Sequence, residues 1–487
     1  MFSETPDILS FDSTFRKDFL TAEEVERLRS GTLWILENVG VRIPSDIALE
    51  LLSDHGAQID WEGQIVRLAP HLVEKAMSTA PPSFVLAGRE SRFDLTLDGE
   101  RIYLCTDGTG VHVVDPETRE LRSSTKSDVA MMARVSDGLP LLSFYWPMVS
   151  AQDYGPTARL HEAHAGLTNT LKHVRGGSTM HPRLARYLVE MATVVAGSEA
   201  ARRARPPLCA NICSIAPLSN DQHGIEAALV YAEAGIPTSF MAMPTMGSTA
   251  PATPYAAIVQ GDAEVISAMV LIQLAFPGAP VFHSIIPSLM NPRTGGYISQ
   301  APAPSYLIAA QLARAWRVPC LGGARVSGDA PEVGWQSGVE VGLGAMAIPQ
   351  YGGEICGLLG LVGSATTLFP EELVLDHEVC LHVYRMLESF NFERGAMALD
   401  LIKAVGPGGH YLSQRHTRDR IRDFRLPMLL ALKDKEGNQR DPRQVALQEF
   451  RRQETEHHPK PLPENVTQEL DRIMGAADRE AQEIYRQ

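Results

Sequence analysis

The sequence predicts an α/β protein: a (β/α)8 barrel of the TIM type with an N-terminal α+β extension and a C-terminal helical tail. Three observations carry that prediction. Short apolar segments recur between Leu141 and Gly360, each followed by a helical pattern, which is the rhythm of parallel β/α units. Their number approaches the eight of a closed barrel. The chain of 487 residues, 44% apolar, can bury a core of that size with additions to spare. An open doubly wound sheet is the alternative, but no strand candidate is followed by a dinucleotide glycine fingerprint.

The N-terminal region, 1–135, opens with a helix at Thr21. Glu24 three residues later forms a capping-box signature, and Val25, Leu28, Trp34 and Ile35 mark an apolar stripe that ends at Gly40. A second helix spans Ser45 to His55, a hairpin Gln58 to Leu68, and a third helix His71 to Thr79. Alternation from Arg101 to Leu121 with a turn at Asp115-Pro116 predicts another hairpin. The barrel, 136–427, takes its strands from LLSFYWPMV (from Leu141), KHVRGG (Lys172), LCANICS (Leu208), PTSFMAM (Pro237), PVFHSII (Pro280), PCLGGAR (Pro319) and EICGLLG (Glu354). An eighth strand is not placed by this reading. The tail, 428–487, is charged, passes through the Pro-rich His457–Val466 linker and ends in a helix with Val466, Leu470, Ile473 and Met474 at helical spacing, packed on the barrel or on another subunit.

A net charge of −14 argues against polyanions as partners, because they require a basic footprint. The first residues lack a signal-peptide pattern, and no uncharged run approaches the ~20 strongly apolar residues that span a bilayer. The reading is a cytoplasmic protein with no membrane and no nucleic acid. Six scattered cysteines fit reduced, buried thiols better than a disulfide framework.

In such a barrel the active site lies where strands end at their C-termini. That selects Trp146 and Gln152, Arg175, Asn211, Met243 to Gly247, His283 to Asn291, Arg325 to Gln336 and Gly360 to Ser364. This set is short of carboxylate pairs, so a glycosidase or aspartic dyad is poorly supported. His161 and His164 are spaced three apart rather than the four of HExxH and read as packing residues. Cys209 and Cys213 share a strand face but gather no further ligand, and no metal site is predicted on this chain. Gly357, Gly360 and Gly363 match a phosphate loop only loosely.

Three segments together are distinctive: YLCTDGTGVHVVD (Tyr103 to Asp115), GGARVSGDAPEVGWQSGVEVGLGAM (Gly322 to Met346), and VLDHEVC with ALDLIKAVGPGGHYLSQRHT (Val374 to Thr417). With them the chain resembles the corrinoid-dependent trimethylamine methyltransferase family over most of its length. The resemblance implies a homo-oligomer whose barrel mouth meets a separate corrinoid (cobalamin) protein. The corrinoid signature D-x-H-x-x-G is incomplete here, since Asp221-Gln222-His223 is followed by Glu226 where glycine is needed, so the cobalt would come on another chain. No pyrrolysine interrupts the twenty ordinary amino acids, and the chain is similar to the non-pyrrolysine branch, whose members act on glycine betaine and related compounds.

A quaternary ammonium leaves as a neutral amine and needs no strong general acid. Aromatic faces bind it, each well-placed ring contributing about 0.5–2 kcal/mol. The expected substrate-binding residues are Tyr103, Trp146, Trp335 and Tyr351 as rings, His283 and Arg325 for a carboxylate, with Arg175 a further candidate for the latter, and Gln336 beside Glu340 where the resemblance places a special residue. His410 and His416 fit a structural or interface role. Two other readings stay open: a non-catalytic betaine-binding barrel, and an enzyme methylating folate directly.

Overall fold

Eight parallel strands form the centre of the protein, described by a computed structural model over residues 3–299, 303–325, 328–388, 397–421, 433–434 and 436–486. We number them β1 Arg101–Thr106, β2 Leu142–Tyr145, β3 His173–Gly177, β4 Leu208–Cys213, β5 Thr238–Ala242, β6 Val281–Ile285, β7 Leu321–Arg325 and β8 Ile355–Leu359. Each pairs with the next in chain order, and β8 returns to β1. A single bridge, His283 to Cys320, closes the ring between β6 and β7. All seven strands expected from the sequence are present.

The eighth is Arg101–Thr106, which the sequence reading had made the first arm of a hairpin. Its partners are β2 and β8, the latter through Ile355 opposite Tyr103 and Cys356 opposite Leu104. The hairpin exists but starts later, His112–Val114 against Leu121–Ser123, and joins Leu361–Val362 and Thr367–Leu368 in a small sheet beside the ends of β1 and β8.

The N-terminal elements fold as predicted. Thr21 and Glu24 make both bonds of the capping box on the Ala22–Asn38 helix, which contributes Val25 and Leu36 to the core. Trp34 is a correction: it is exposed and lies off the buried stripe. The hairpin Gln58–Asp60 with Ile65–Arg67 and the helices Asp46–Asp54 and Pro70–Met77 complete the unit.

Pro254–Ala275 is the long apolar helix of the shell, interrupted by Asp262 and Glu264. It is 22 residues long and apolar enough in composition to cross a membrane, yet the protein encloses it. It packs against the N-terminal helices and strands β5 and β6, and a largely apolar helix whose few polar groups are hydrogen-bonded is what a position between two layers requires.

At the other end of the chain, Glu464–Ile484 buries Leu470, Ile473, Met474, Ala477 and Ala481 against the Ala158–Asn169 and Pro182–Ala196 helices of its own barrel. The His161 ring there meets Asp478 at 3.1 Å and the Lys126 Nζ at 2.9 Å, and His164 meets Asp471 at 3.3 Å. Both histidines thus fasten the terminal helix. The expected boundary at residues 427–428 and positions 389–396 of the distinctive C-terminal segment lie outside the described residues. Within that segment, Leu399–Val405 and Arg415–Arg420 are short helices with no buried residue.

Candidate active site

Strand alternation decides which side chains line the barrel interior. Paired residues share a face: Cys105 with Phe144, Phe144 with His173, Arg175 with Cys209, Asn211 with Ser239, and Met241 with Ser284. The intervening residues point into the helical shell, as Tyr145 does with its hydroxyl donating to the Val129 carbonyl at 2.8 Å. Residues 144 and 146 are therefore internal, and Trp146 sits just past the end of β2.

Trp146 is held by its neighbours. Its backbone N–H donates to Thr106 Oγ1 at 2.8 Å, and that hydroxyl donates to the Trp146 carbonyl at 2.6 Å. Gly108 lies against the ring edge, where a Cβ would fall 2.2 Å from Cδ1. The Arg175 guanidinium stacks 3.6 Å from the ring centroid, and its Nη2 donates to the Asn211 carbonyl at 3.4 Å. Asn211 Nδ2 faces the sulfurs of Cys213 and Met241 at 3.7 and 3.9 Å.

Several buried polar atoms of this group have no hydrogen-bond partner: Trp146 Nε1, Arg175 Nε, Asn211 Oδ1, Ser239 Oγ and Ser284 Oγ. Folded proteins satisfy almost all such atoms, so a cluster of exceptions calls for an explanation. No ion pair to Arg175 is formed among the described residues. Burial pushes its pKa down to about 10, with the Cys213 thiol acting in the opposite direction, so the group stays cationic at neutral pH. Burial likewise raises the pKa of Cys105, to about 12, and of Cys209 and Cys213. These thiols are neutral.

Carboxyl groups gather behind the end of β8, a feature the sequence reading did not anticipate. Glu372 and Asp376 lie one turn apart on the Pro370–Glu388 helix. Asp376 Oδ2 accepts from the Gly360 N–H at 2.7 Å. Burial raises the pKa of Glu372 to about 7 and that of Asp376 well above the usual range, the nearby Glu372 charge reinforcing the latter. Asp107, buried just past β1, also raises the Asp376 pKa. Among the described residues no group of three or more His, Cys, Asp or Glu could hold a metal ion.

Of the eight binding candidates offered by the sequence, Trp146 and Arg175 are brought together in this cluster. Tyr103 is third in β1, toward the opposite end, with its phenol at the Thr96 backbone and its pKa raised by burial. Tyr351 closes the Trp335–Tyr351 helix at that same end, its hydroxyl 3.4 Å from Cys320 Sγ. His283 faces outward, Nε2 lying 2.7 Å from Asp262 Oδ1 in the shell, where Trp316 and Thr32 also donate to that carboxylate. Trp335 is 88% exposed on the rim. Gln336 is exposed and donates to Glu340 at 2.8 Å. Arg325 ends β7, and its side chain lies outside the described residues. Tyr103, Trp146 and Trp335 therefore do not form one cage, and one face of Trp146 is occupied by Arg175. The strand-exit residues that do meet Trp146 are Arg175 and, through it, Asn211.

A family model described as trimethylamine methyltransferase (MTTB) matches residues 10–482. The chain belongs to this family. An MttB trimethylamine methyltransferase of Desulfitobacterium hafniense (strain DSM 10664 / DCB-2) is 30% identical, with 94% of this chain and 93% of that protein covered. A glycine betaine methyltransferase of D. hafniense (strain Y51) is 28% identical over 85% of this chain and 86% of its own length. Among solved structures, the Methanosarcina barkeri monomethylamine methyltransferase (MtmB) matches with a TM-score of 0.44 and 13% identity, covering 88% of this chain and 91% of that one. This MTTB-family protein is a methyltransferase on a parallel eight-stranded barrel.

Proposed function

We propose that this MTTB-family methyltransferase removes a methyl group from a quaternary amine of the glycine betaine type and passes it to the cobalt of a separate corrinoid protein. The names of the two D. hafniense relatives support an N-methylated donor. The observation that carries the reading is the interior itself: partnerless buried polar atoms around Trp146 and Arg175 at the end of the barrel where such folds do chemistry. The neutral thiols of that interior suit a donor that needs no acid. When the N–CH3 bond breaks, the electron pair stays on nitrogen and a neutral tertiary amine departs, so the high thiol pKa values are no obstacle.

The corrinoid partner would supply the nucleophile that accepts the methyl group. The rim fits a protein surface around that exit. Val111, Ile215, Met243, Tyr297 and Trp335 follow β1, β4, β5, β6 and β7 and are all exposed. Large apolar side chains grouped in this way mark interaction surfaces. This chain's own part is to hold the donor in the lumen and present its methyl group at the rim.

The test is to incubate the purified protein with glycine betaine, proline betaine, carnitine, choline or trimethylamine and chemically reduced cobalamin, and to follow the demethylated amine by NMR. The expected result is corrinoid-dependent loss of one methyl group from a quaternary donor. Absence of product from every donor refutes methyl transfer of this kind. Product formed with tetrahydrofolate and no corrinoid refutes the cobalt acceptor.

A further inference from the structure

Arg175 is the unusual group in this interior. It lies on β3 with its neighbours in the barrel wall, is 8% exposed, and has Nε buried without a partner. Leaving a guanidinium buried without a counter-charge is costly, and natural proteins pair such groups unless they serve a ligand. Other buried polar groups nearby show the contrast. Lys172, three residues before Arg175 in the loop into β3, donates to the Ser136 and Leu139 carbonyls at 3.0 and 2.8 Å, and outward-facing His283 has Asp262.

The geometry favours a planar anion. Stacking on Trp146 fixes the guanidinium plane. The N–H groups of Nε and Nη2 point from one edge of that plane, and that edge is nearly idle: Nε is unbonded and Nη2 makes one long contact, 3.4 Å, to the Asn211 carbonyl. Two parallel N–H groups on one edge match the two oxygens of a carboxylate. The same positive charge disfavours a donor that is only cationic. It also takes a Trp146 face that an ammonium would otherwise use.

We infer that Arg175 binds the carboxylate of the methyl donor and makes this protein selective for N-methylated zwitterions over donors that carry positive charge alone. The inference rests on the methyltransferase reading above and names the residue that would set donor choice. Arg175 orients the donor and takes no part in bond breaking.

Isothermal titration of the full chain tests it with four probes of one shape: glycine betaine, choline, 3,3-dimethylbutyrate (the carboxylate without the cation) and 3,3-dimethylbutan-1-ol (neither charge). Wild-type protein should bind each carboxylate probe at least about tenfold more tightly than its partner lacking the carboxylate. Arg175→Gln should weaken glycine betaine and dimethylbutyrate by roughly 10- to 100-fold, the loss of a charged hydrogen-bond pair, and should not weaken choline, which gains from the removal of a like charge. Arg175→Lys should recover part of the affinity. Choline binding as tightly as betaine, equal loss for all probes in Arg175→Gln, or no binding of either carboxylate overturns the inference. The wild-type comparison stands even where Arg175→Gln fails to fold. Carboxylate-selective binding without methyl transfer would instead retain Arg175 as an anion site and reject the function; transfer from choline untouched by Arg175→Gln would do the reverse.

Discussion

Replacing Asp137 with Ala should cost about 3–5 kcal/mol of stability, the loss associated with breaking a buried charge network, and should loosen the entry to the strand that carries Arg175. The Asp137 side chain is inaccessible. Its Oδ1 accepts from Thr170 Oγ1 and the Leu171 N–H, both at 2.7 Å. Its Oδ2 accepts from Thr5 Oγ1 at 2.6 Å and from His457 Nε2 at 2.7 Å. One carboxylate thus joins both ends of the chain to the residues just before β3. Burial alone would raise its pKa, but the His457 bond, the Lys172 charge and the Thr5 and Thr170 hydroxyls outweigh that and lower it. Alanine strands four donors. The hydroxyls can turn elsewhere, but the Leu171 N–H cannot, and each buried donor left unpaired costs about 1–3 kcal/mol. Against a typical total of about 5–15 kcal/mol the loss is large. Asp137→Asn keeps the volume and should lose about 1–3 kcal/mol. Urea unfolding at pH 7 measures both, and limited proteolysis reports release of the tails. Because the folded-state pKa lies below the unfolded one, this stabilisation is complete above about pH 4 and disappears as pH falls through the folded value. The gap between wild type and variant should therefore close in acid. A loss under about 1 kcal/mol at pH 7, a gap that persists in acid, or tails as protected as in wild type would refute the account.

Two further outcomes follow from the geometry. Gly108→Ala places a methyl group 2.2 Å from Trp146 Cδ1 and 2.5 Å from the Pro147 carbonyl, so the ring must move off Arg175. Donor affinity should fall and tryptophan emission change, at about 1–3 kcal/mol of stability; unchanged affinity and emission would count against the stacked pair. Glu354, buried at the start of β8 and accepting from the Cys320 N–H at 2.7 Å, has its pKa raised by burial to about 7. A raised value means the neutral carboxyl contributes stability that is complete below about pH 4.5 and is lost as pH rises through 7, by about 3 kcal/mol in all. Glu354→Gln should flatten that part of the stability curve, and parallel pH profiles for the two proteins would exclude the effect.

Seven strands were legible because each is a local apolar run closed by turn residues and followed by a helical period. The eighth was not, because Arg101–Thr106 pairs with Leu142–Tyr145 and with Ile355–Leu359, about 250 residues away, while its own neighbourhood alternates like a hairpin. Position along the barrel axis was misjudged for Tyr103 and Tyr351 by a rule the sequence does contain. A residue early in a strand, or at the end of the helix leading into one, lies at the closed end, and Tyr351 ends the helix that feeds β8. Facing was harder. His283 was read as turned toward the mouth, yet Asp262, one of two carboxylates midway through the apolar Pro254–Ala275 run, was a signal that the helix meets a polar partner.

The contrast between His283 and Arg175 marks where sequence reasoning stops for this protein. Both are polar residues in the middle of apolar strands, and from composition they are equivalent candidates for holding a carboxylate. Folding separates them through the phase of alternation. Residue 283 falls between inward-facing 282 and 284 and finds Asp262, whereas residue 175 falls inward beside Cys209, stacks on Trp146, and keeps an unbonded edge. A buried polar group already paired within its own fold has no need of a ligand. A buried charge without a counter-charge is neutralised only by a bound anion, so the choice of donor should follow from Arg175 rather than from the aromatic residues of the barrel mouth.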